Sequence, residues 1–177
     1  RQFVDRVELA ADAHLQVVAA RVQHAGAFHR VLRGELGHHL AQVDAELRQK
    51  IREMFELMYA AKGIGLAANQ VDLPLRFFIV NLEAQPDAGE EMVFINPVIS
   101  LPRGGSEEAE EGCLSLPGLY GQVTRPKQIR INAYSLDGNE INVDVTGLMA
   151  RCVQHELDHL DGVLFPDRMS PAAKADI

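Results

Sequence analysis

The chain has 177 residues, 47% of them hydrophobic, which is enough apolar material for one compact domain. Its formal net charge is −8 and its Lys and Arg residues are scattered, which excludes nucleic acid as an expected partner because no basic patch is available for a phosphate backbone. The only two cysteines, Cys113 and Cys152, are too few for a disulfide scaffold and favour a reducing, cytoplasmic setting.

The N-terminal segment, residues 1–42, has broken helical periodicity, so we expect it to be helical or partly ordered. Five of the seven histidines of the chain lie there: His14, His24, His29, His38 and His39. Charges near its start argue against a signal peptide. No apolar run approaches the ~18 residues of a membrane span, so we expect no membrane partner.

The first clear helix follows this segment. Asp44 can cap its N-terminus, and Gly63 can supply the stop at its C-terminus. The apolar residues between them keep the spacing of three and four that is typical of a buried stripe. These residues are Leu47, Ile51, Met54, Phe55 and Met58.

Two short runs rich in β-forming residues, 76–82 and 92–95, predict strands. Pro97 indicates that the second strand ends there or lies at a sheet edge. Residues 129–134 and 140–145 alternate apolar and polar side chains around Asp137-Gly138, a pair typical of a β-hairpin turn.

A helix is predicted from about Leu148 to Leu160, with Gly162 as its end. It carries the pentapeptide His-Glu-Leu-Asp-His at 155–159. The order of elements predicts an α+β fold, in which short antiparallel sheets pack around this central helix.

The pentapeptide is typical of metal-assisted hydrolysis. On a helix, positions four apart lie on one face about 6 Å apart, so His155 and His159 can bind the same metal ion. Glu156 is rotated by about 100° and can act on a water molecule as general base without being a ligand. The alternative is a surface helix with two ordinary histidines.

A catalytic site of this kind needs a third protein ligand. No His, Glu or Cys follows His159, and Phe165 stands where the extended metzincin pattern requires a histidine. Asp161, Asp167 and Asp176 remain weak options as ligands, and the N-terminal histidines are candidates from upstream.

Cys152 lies seven residues before His159, and its side chain is too short to reach the ion, so it is expected in a pocket wall or the core. Cys113 is the preferred ligand, against the alternative of a buried free thiol.

Three segments together resemble the signature motifs of the peptide deformylase family. They are GIGLAANQ at 63–70, EGCLSLP at 111–117 and QHELDH at 154–159. The likeness runs from about Val43 to Met169, so residues 43–177 are expected to form the catalytic domain. Residues 1–42, which contain no Pro or Tyr, do not match the family's usual first strand.

The resemblance implies a specific set of catalytic residues. Cys113, His155 and His159 would bind the metal, and Glu156 would be the acid/base. Gln70 and the backbone amide of Leu114 would stabilise the oxyanion. The substrate would be the N-formylmethionine at the start of new bacterial or organellar polypeptides.

The residue types at the cleft are compatible with these roles. Gly63 and Gly65 lack side chains, so an extended peptide can hydrogen-bond the loop closely, and Gly65 is assigned to both the catalytic and the substrate-binding set. Ile64, Leu148 and Cys152 are the apolar candidates for a pocket that accepts an unbranched methionine side chain.

One thiolate and two imidazoles suit Zn(II) and also accept Fe(II), Co(II) or Ni(II). The resemblance implies Fe(II) in the cell, with another of these ions possible in purified protein.

Transient proximity to the ribosome follows from a nascent-chain substrate, although the chain offers no long C-terminal helix from which to infer contact. The alternative function is a small HExxH zinc peptidase, and a second alternative is a binding protein with a structural metal.

Overall fold

The computed structural model describes residues 43–175, which begin with helix α1, Ala45–Ala60. Asp44 caps this helix as predicted, because its side chain accepts a hydrogen bond of 2.8 Å from the Leu47 N–H. All five residues of the predicted apolar stripe are buried. The predicted N-terminal segment and its five histidines lie outside the described residues.

The C-terminus of α1 differs in detail from the prediction. The residue with left-handed backbone is Lys62, with φ of 56°, and not Gly63. The Lys62 N–H donates to the Tyr59 carbonyl and the Gly63 N–H donates to the Met58 carbonyl, which together form a Schellman motif. Gly63 therefore contributes a backbone donor, while its neighbour makes the turn.

A single five-stranded antiparallel sheet, with its strands in chain order, forms the centre of the described residues. Its strands are β1 Gly65–Ala67, β2 Phe77–Val80, β3 Met92–Cys113, β4 Leu116–Tyr134 and β5 Glu140–Thr146. A 3₁₀ turn, Ala68–Val71, connects β1 towards β2. The antiparallel pairing was predicted, but several short sheets were expected where one sheet with two long strands is found.

β3 does not end near Pro97 as the sequence suggested. The strand continues to Cys113, and Pro97 lies in a bulge where the register with β4 shifts between Ile95 and Val98. Asn96, with φ of 51°, turns the backbone there. A bulge leaves a residue outside the hydrogen-bonded ladder, so a proline without an N–H is tolerated inside the strand.

The predicted hairpin is present as the pair of β4 and β5, with Ile131 opposite Val143. Gly138 adopts φ of 79° in the turn, and its N–H donates to the Ser135 carbonyl. β4 begins earlier than predicted, at Leu116, and pairs there with the end of β3.

Helix α2, Gly147–Leu160, carries the pentapeptide and packs against the sheet. Gly162 ends it as predicted: Gly162 has φ of 74° and its N–H donates to the His159 carbonyl. Two short helices follow, α3 Phe165–Arg168 and α4 Pro171–Lys174. The α+β class is confirmed, and α2 occupies almost the residues predicted for the motif helix.

The sheet separates two apolar clusters. Phe77 and Ile79 of β2 pack with α1, whereas Phe78 and Val80 on the opposite face pack with α2. This alternation follows from the two-residue period of a strand. It fixes α2 against β1, which places residues of the first, second and third motifs side by side. No helix in residues 43–175 is long and apolar enough to cross a membrane.

Candidate active site

Three potential metal ligands converge where the end of β3 meets α2. Cys113 Sγ lies 3.1 Å from His159 Nε2, and His159 Nε2 lies 3.2 Å from His155 Nε2. The three donor atoms all lie within 4.8 Å of one another. Metal–ligand bonds of about 2.0 to 2.3 Å in a tetrahedron require separations of about 3 to 4 Å, and both distances from His159 Nε2 fall in this range, as expected for ligands of one divalent ion.

The other candidate ligands are not in this cluster. Asp161 and Asp167 do not belong to the group of converging donors, which among the described residues consists of Cys113, His155 and His159. Asp176 and the N-terminal histidines lie outside the described residues. Cys152 is buried in the core cluster and lines the adjacent pocket, as predicted.

Glu111 orients the ring of His155. The Nδ1 atom of His155 lies 2.9 Å from Glu111 Oε2, so the opposite ring atom, Nε2, faces Cys113 and His159. A carboxylate on the second nitrogen of a metal-binding imidazole fixes the tautomer and the orientation of the ring. No role of Glu111 was predicted from the sequence, although its place two residues before Cys113 offered a signal.

Buried arginines hold Glu111 as an anion. Arg125 donates to both carboxylate oxygens, at 2.6 and 2.9 Å, and Arg151 donates to Oε1 at 2.7 Å. Burial raises the pKa of Glu111, but the hydrogen bonds from Arg125 and His155 outweigh it and lower this pKa to about 2. Arg125 also donates to Asp158 at 2.8 Å. This ionic network was not predicted from the sequence, because its members are distant in the chain.

The surroundings of the two histidines shift their pKa values in opposite directions. Burial lowers the pKa of His155, but hydrogen bonds to Cys113 and Glu111 overcome this effect and raise the pKa to about 10. A proton and a metal ion compete for the same Nε2 lone pair, so the negative surroundings that attract one also attract the other. Burial holds the pKa of His159 well below its usual value, which leaves its imidazole neutral and available as a ligand.

Glu156 follows the first histidine and is also buried. Its Oε2 atom has no hydrogen-bond partner among the described residues. Desolvation by burial raises the pKa of Glu156 to about 7, against the lowering effect of His155 and Arg125. A carboxylate that titrates near neutrality can both accept and donate a proton.

Gln70 lies in the 3₁₀ turn with its amide held from both ends. Its Oε1 accepts a 2.8 Å hydrogen bond from the Ala67 N–H, and its Nε2 donates to Ser115 Oγ at 2.9 Å. The same Nε2 lies 3.9 Å from Cys113 Sγ. The amide nitrogen therefore lies beside Cys113, one of the three candidate metal ligands.

A cavity of about 560 Å³ opens beside these groups. Its walls include every residue that was predicted to contact the substrate: Gly63, Ile64, Gly65, Leu148 and Cys152. They also include Gln70, Cys113, Leu114, His155 and Glu156. Leu148 is half exposed and forms part of the rim, while His159 is buried behind the wall. The fold thus brings all the predicted site residues together.

The comparisons with known proteins agree with this geometry. The sequence model of the family described as polypeptide deformylase matches residues 27–175. The matched range begins inside the segment 1–42, whose boundary stays a prediction. The peptide deformylase of Rhodopirellula baltica is 52% identical over 138 residues, which are 78% of this chain and 68% of that protein. The Chromobacterium violaceum enzyme is 49% identical over 127 residues, 72% of this chain and 74% of its own.

Solved structures give the same result. Peptide deformylase 1B of Arabidopsis thaliana superimposes with a TM-score of 0.78 at 37% identity, covering 83% of this chain and 81% of that chain. The Synechococcus elongatus enzyme, solved with actinonin, gives a TM-score of 0.77 at 41% identity, with coverages of 83% and 79%. The chain therefore belongs to the peptide deformylase family, metal-dependent hydrolases that remove the N-formyl group from the formylmethionine of nascent polypeptides.

Proposed function

We propose that Cys113, His155 and His159 bind one divalent metal ion and that Glu156 is the acid/base of the deformylation reaction. The observation that carries this assignment is the convergence of one sulfur and two imidazole nitrogens within 4.8 Å. The ligand cluster borders a cavity whose wall also holds the Glu156 carboxylate. A structural metal site would need a fourth ligand and no acid/base.

Cys113, His155 and His159 would hold a divalent ion, which would supply Lewis-acid chemistry: polarisation of the formyl carbonyl and a lower pKa for water, so that a nucleophile is available near neutral pH. The mixed sulfur and nitrogen set accepts Fe(II), Zn(II), Ni(II) or Co(II). We propose Fe(II) as the ion in the cell, on the basis of the family resemblance. Metal analysis after anaerobic purification tests this point, and zinc alone in fully active enzyme would overturn it.

Glu156 moves the proton. It accepts a proton from the attacking water as the new C–O bond forms, and it donates that proton to the amine nitrogen as the C–N bond breaks. Formate and a free methionine amino group are the products. The unpaired Oε2 and the pKa of about 7 support both transfers.

Gln70 and the backbone N–H of Leu114 stabilise the negative charge that develops on the formyl oxygen. The contacts with Ala67 and Ser115 hold the Gln70 amide before substrate binds, so little reorganisation is required during the reaction. Such preorganisation is the usual source of oxyanion stabilisation.

The substrate peptide lies along the loop Gly63-Ile64-Gly65, whose backbone can hydrogen-bond an extended chain. The methionine side chain enters the cavity against Ile64, Leu148 and Cys152. The thiol of Cys152 acts only as an apolar surface there, because burial raises its pKa well above the usual value.

We further propose that the substrates are N-formylmethionyl nascent chains in a bacterial-type cytoplasm or an organelle, met during transient proximity to the ribosome. The assay compares formyl-Met-Ala-Ser with Met-Ala-Ser, with and without a chelator. Release of formate from the first peptide alone, abolished by the chelator, is the expected result. Cleavage between residues of either peptide would instead support a peptidase.

A further inference from the structure

Arg151 extends the row of metal-ligand positions along α2. It precedes His155 by four residues, as His155 precedes His159, so the three side chains follow one face of the helix. The guanidinium is buried although it lies in the cavity wall. A buried cation in such a place requires partners that hold it.

The guanidinium of Arg151 contacts both long strands. Its Nη1 donates to Glu111 Oε1 at 2.7 Å and to the Val123 carbonyl at 2.9 Å, and its Nη2 donates to the Glu107 carbonyl at 3.0 Å. Glu107 and Glu111 belong to β3, which ends at Cys113, and Val123 belongs to β4. One side chain therefore connects the helix that carries two metal ligands to the strand that carries the third.

Arg151 also completes the set of hydrogen-bond donors around the Glu111 carboxylate. Four donors reach this carboxylate: two from Arg125, one from Arg151 and one from His155. Four is about the number of lone pairs that a carboxylate offers, so its orientation is fully fixed. Arg125 is shared with Asp158 and cannot replace Arg151 at the strand carbonyls.

We infer that Arg151 is a positioning residue for the metal centre: it fixes the distance between α2 and β3 and holds Glu111 against His155. This inference rests on the proposed metal site. The role differs from substrate binding, because the guanidinium donates its hydrogen bonds to Glu107, Glu111 and Val123 within the fold. Substrate affinity is therefore expected to depend little on it.

The test uses the whole protein as wild type, Arg151→Met, Arg151→Lys and the control Arg130→Met. Arg130 makes a two-pronged ion pair with Asp144 on the sheet, at 2.7 and 2.9 Å, and is not among the residues that line the cavity. Each protein is loaded with Co(II) alone. The release of Co(II) to a chelator, the visible Co(II) spectrum and the kinetics of formate release are then measured well below the melting temperature.

We expect Arg151→Met to release Co(II) about 10-fold faster than wild type or more, since partners of metal-binding side chains typically contribute 10- to 100-fold to affinity. The Co(II) spectrum should change and kcat should fall, with KM within about twofold. Arg151→Lys should resemble Arg151→Met, because one ammonium cannot span three separate acceptors. Arg130→Met should match wild type.

Equal rates of Co(II) release from Arg151→Met and Arg130→Met would overturn the inference. A rise in the KM of Arg151→Met with kcat unchanged would also overturn it. If Arg151→Met does not fold, Arg151→Lys decides the matter by the same comparison. Failure of wild type to release formate would count against the proposed function instead, while the release of Co(II) would still judge the role of Arg151.

Discussion

The backbone of Gly65 lies directly against the carboxylate of Glu156. A methyl group placed on Gly65 would lie 2.5 Å from Glu156 Oε1 and 2.8 Å from Cys152 Sγ. A Cβ atom essentially never lies this close to another heavy atom, so a side chain at position 65 must displace Glu156, the proposed acid/base, or shift the loop. The need for glycine here comes from close approach, because Gly65 is not among the residues with positive φ.

Gly65→Ala is therefore expected to lower kcat by about 10²-fold, the usual effect of a misplaced catalytic group. Gly63→Ala is the matched comparison. A methyl group there would meet the flexible end of the Leu114 side chain at 2.6 Å, and this end can rotate away. Steady-state formate release from both variants checks the prediction, and equal losses of kcat would contradict it.

Replacement of Glu156 separates catalysis from metal binding. Glu156→Ala should keep one metal ion per chain, because the three ligands remain, while deformylation is nearly abolished. Loss of general acid/base catalysis typically costs about 10² to 10⁴ in rate. Metal content is measured on the same samples as formate release. Near-normal turnover would remove Glu156 from the mechanism.

Glu111→Gln should weaken metal binding by about 10- to 100-fold, because His155 loses the carboxylate that orients its ring. It should also destabilise the fold by about 3 kcal/mol, since Arg125 and Arg151 lose a buried anionic partner. Chelator competition and urea unfolding provide the two measurements. A variant with unchanged metal affinity would show that the ring of His155 is held by other contacts.

Gln70→Ala should lower kcat by about 10² to 10³, the usual loss for one oxyanion donor. Ser115→Ala is the control: Ser115 only accepts a hydrogen bond from Gln70 Nε2, so a smaller loss is expected. Both variants are assayed with formyl-Met-Ala-Ser. The assignment of Gln70 fails if its replacement raises KM without lowering kcat.

The local parts of the fold could be predicted from the sequence. α1 and α2 have a helical apolar period and recognisable end residues, and the hairpin around Asp137-Gly138 has alternating strands with a turn. The paired regions of β3 and β4 gave no such signal. Leu101–Glu108 is exposed on every residue, so no apolar alternation indicates a strand. Long-range pairing with β4 determines this structure, and a single sequence does not encode its register visibly.

The same limit applies to the site. His155, Glu156 and His159 lie within one helical turn, so their geometry follows from the spacing alone. Cys113 could be selected among competing ligands, and the family resemblance supported it. The roles of Arg125 and Arg151 could not be inferred, because their contacts with Glu111 exist only once β3, β4 and α2 have assembled.

The division of the proposed metal ligands between a strand and a helix predicts a second physical effect of the ion. Cys113 and His159 are 46 positions apart in the chain, so an ion bound by both closes a long loop and acts as a reversible cross-link. A cross-link of this kind restricts the unfolded chain more strongly as the loop lengthens. By mass action, each tenfold rise in the concentration of free metal above its dissociation constant should add about 1.4 kcal/mol to the free energy of unfolding. We therefore expect the stability of the protein to report on the supply of this metal ion.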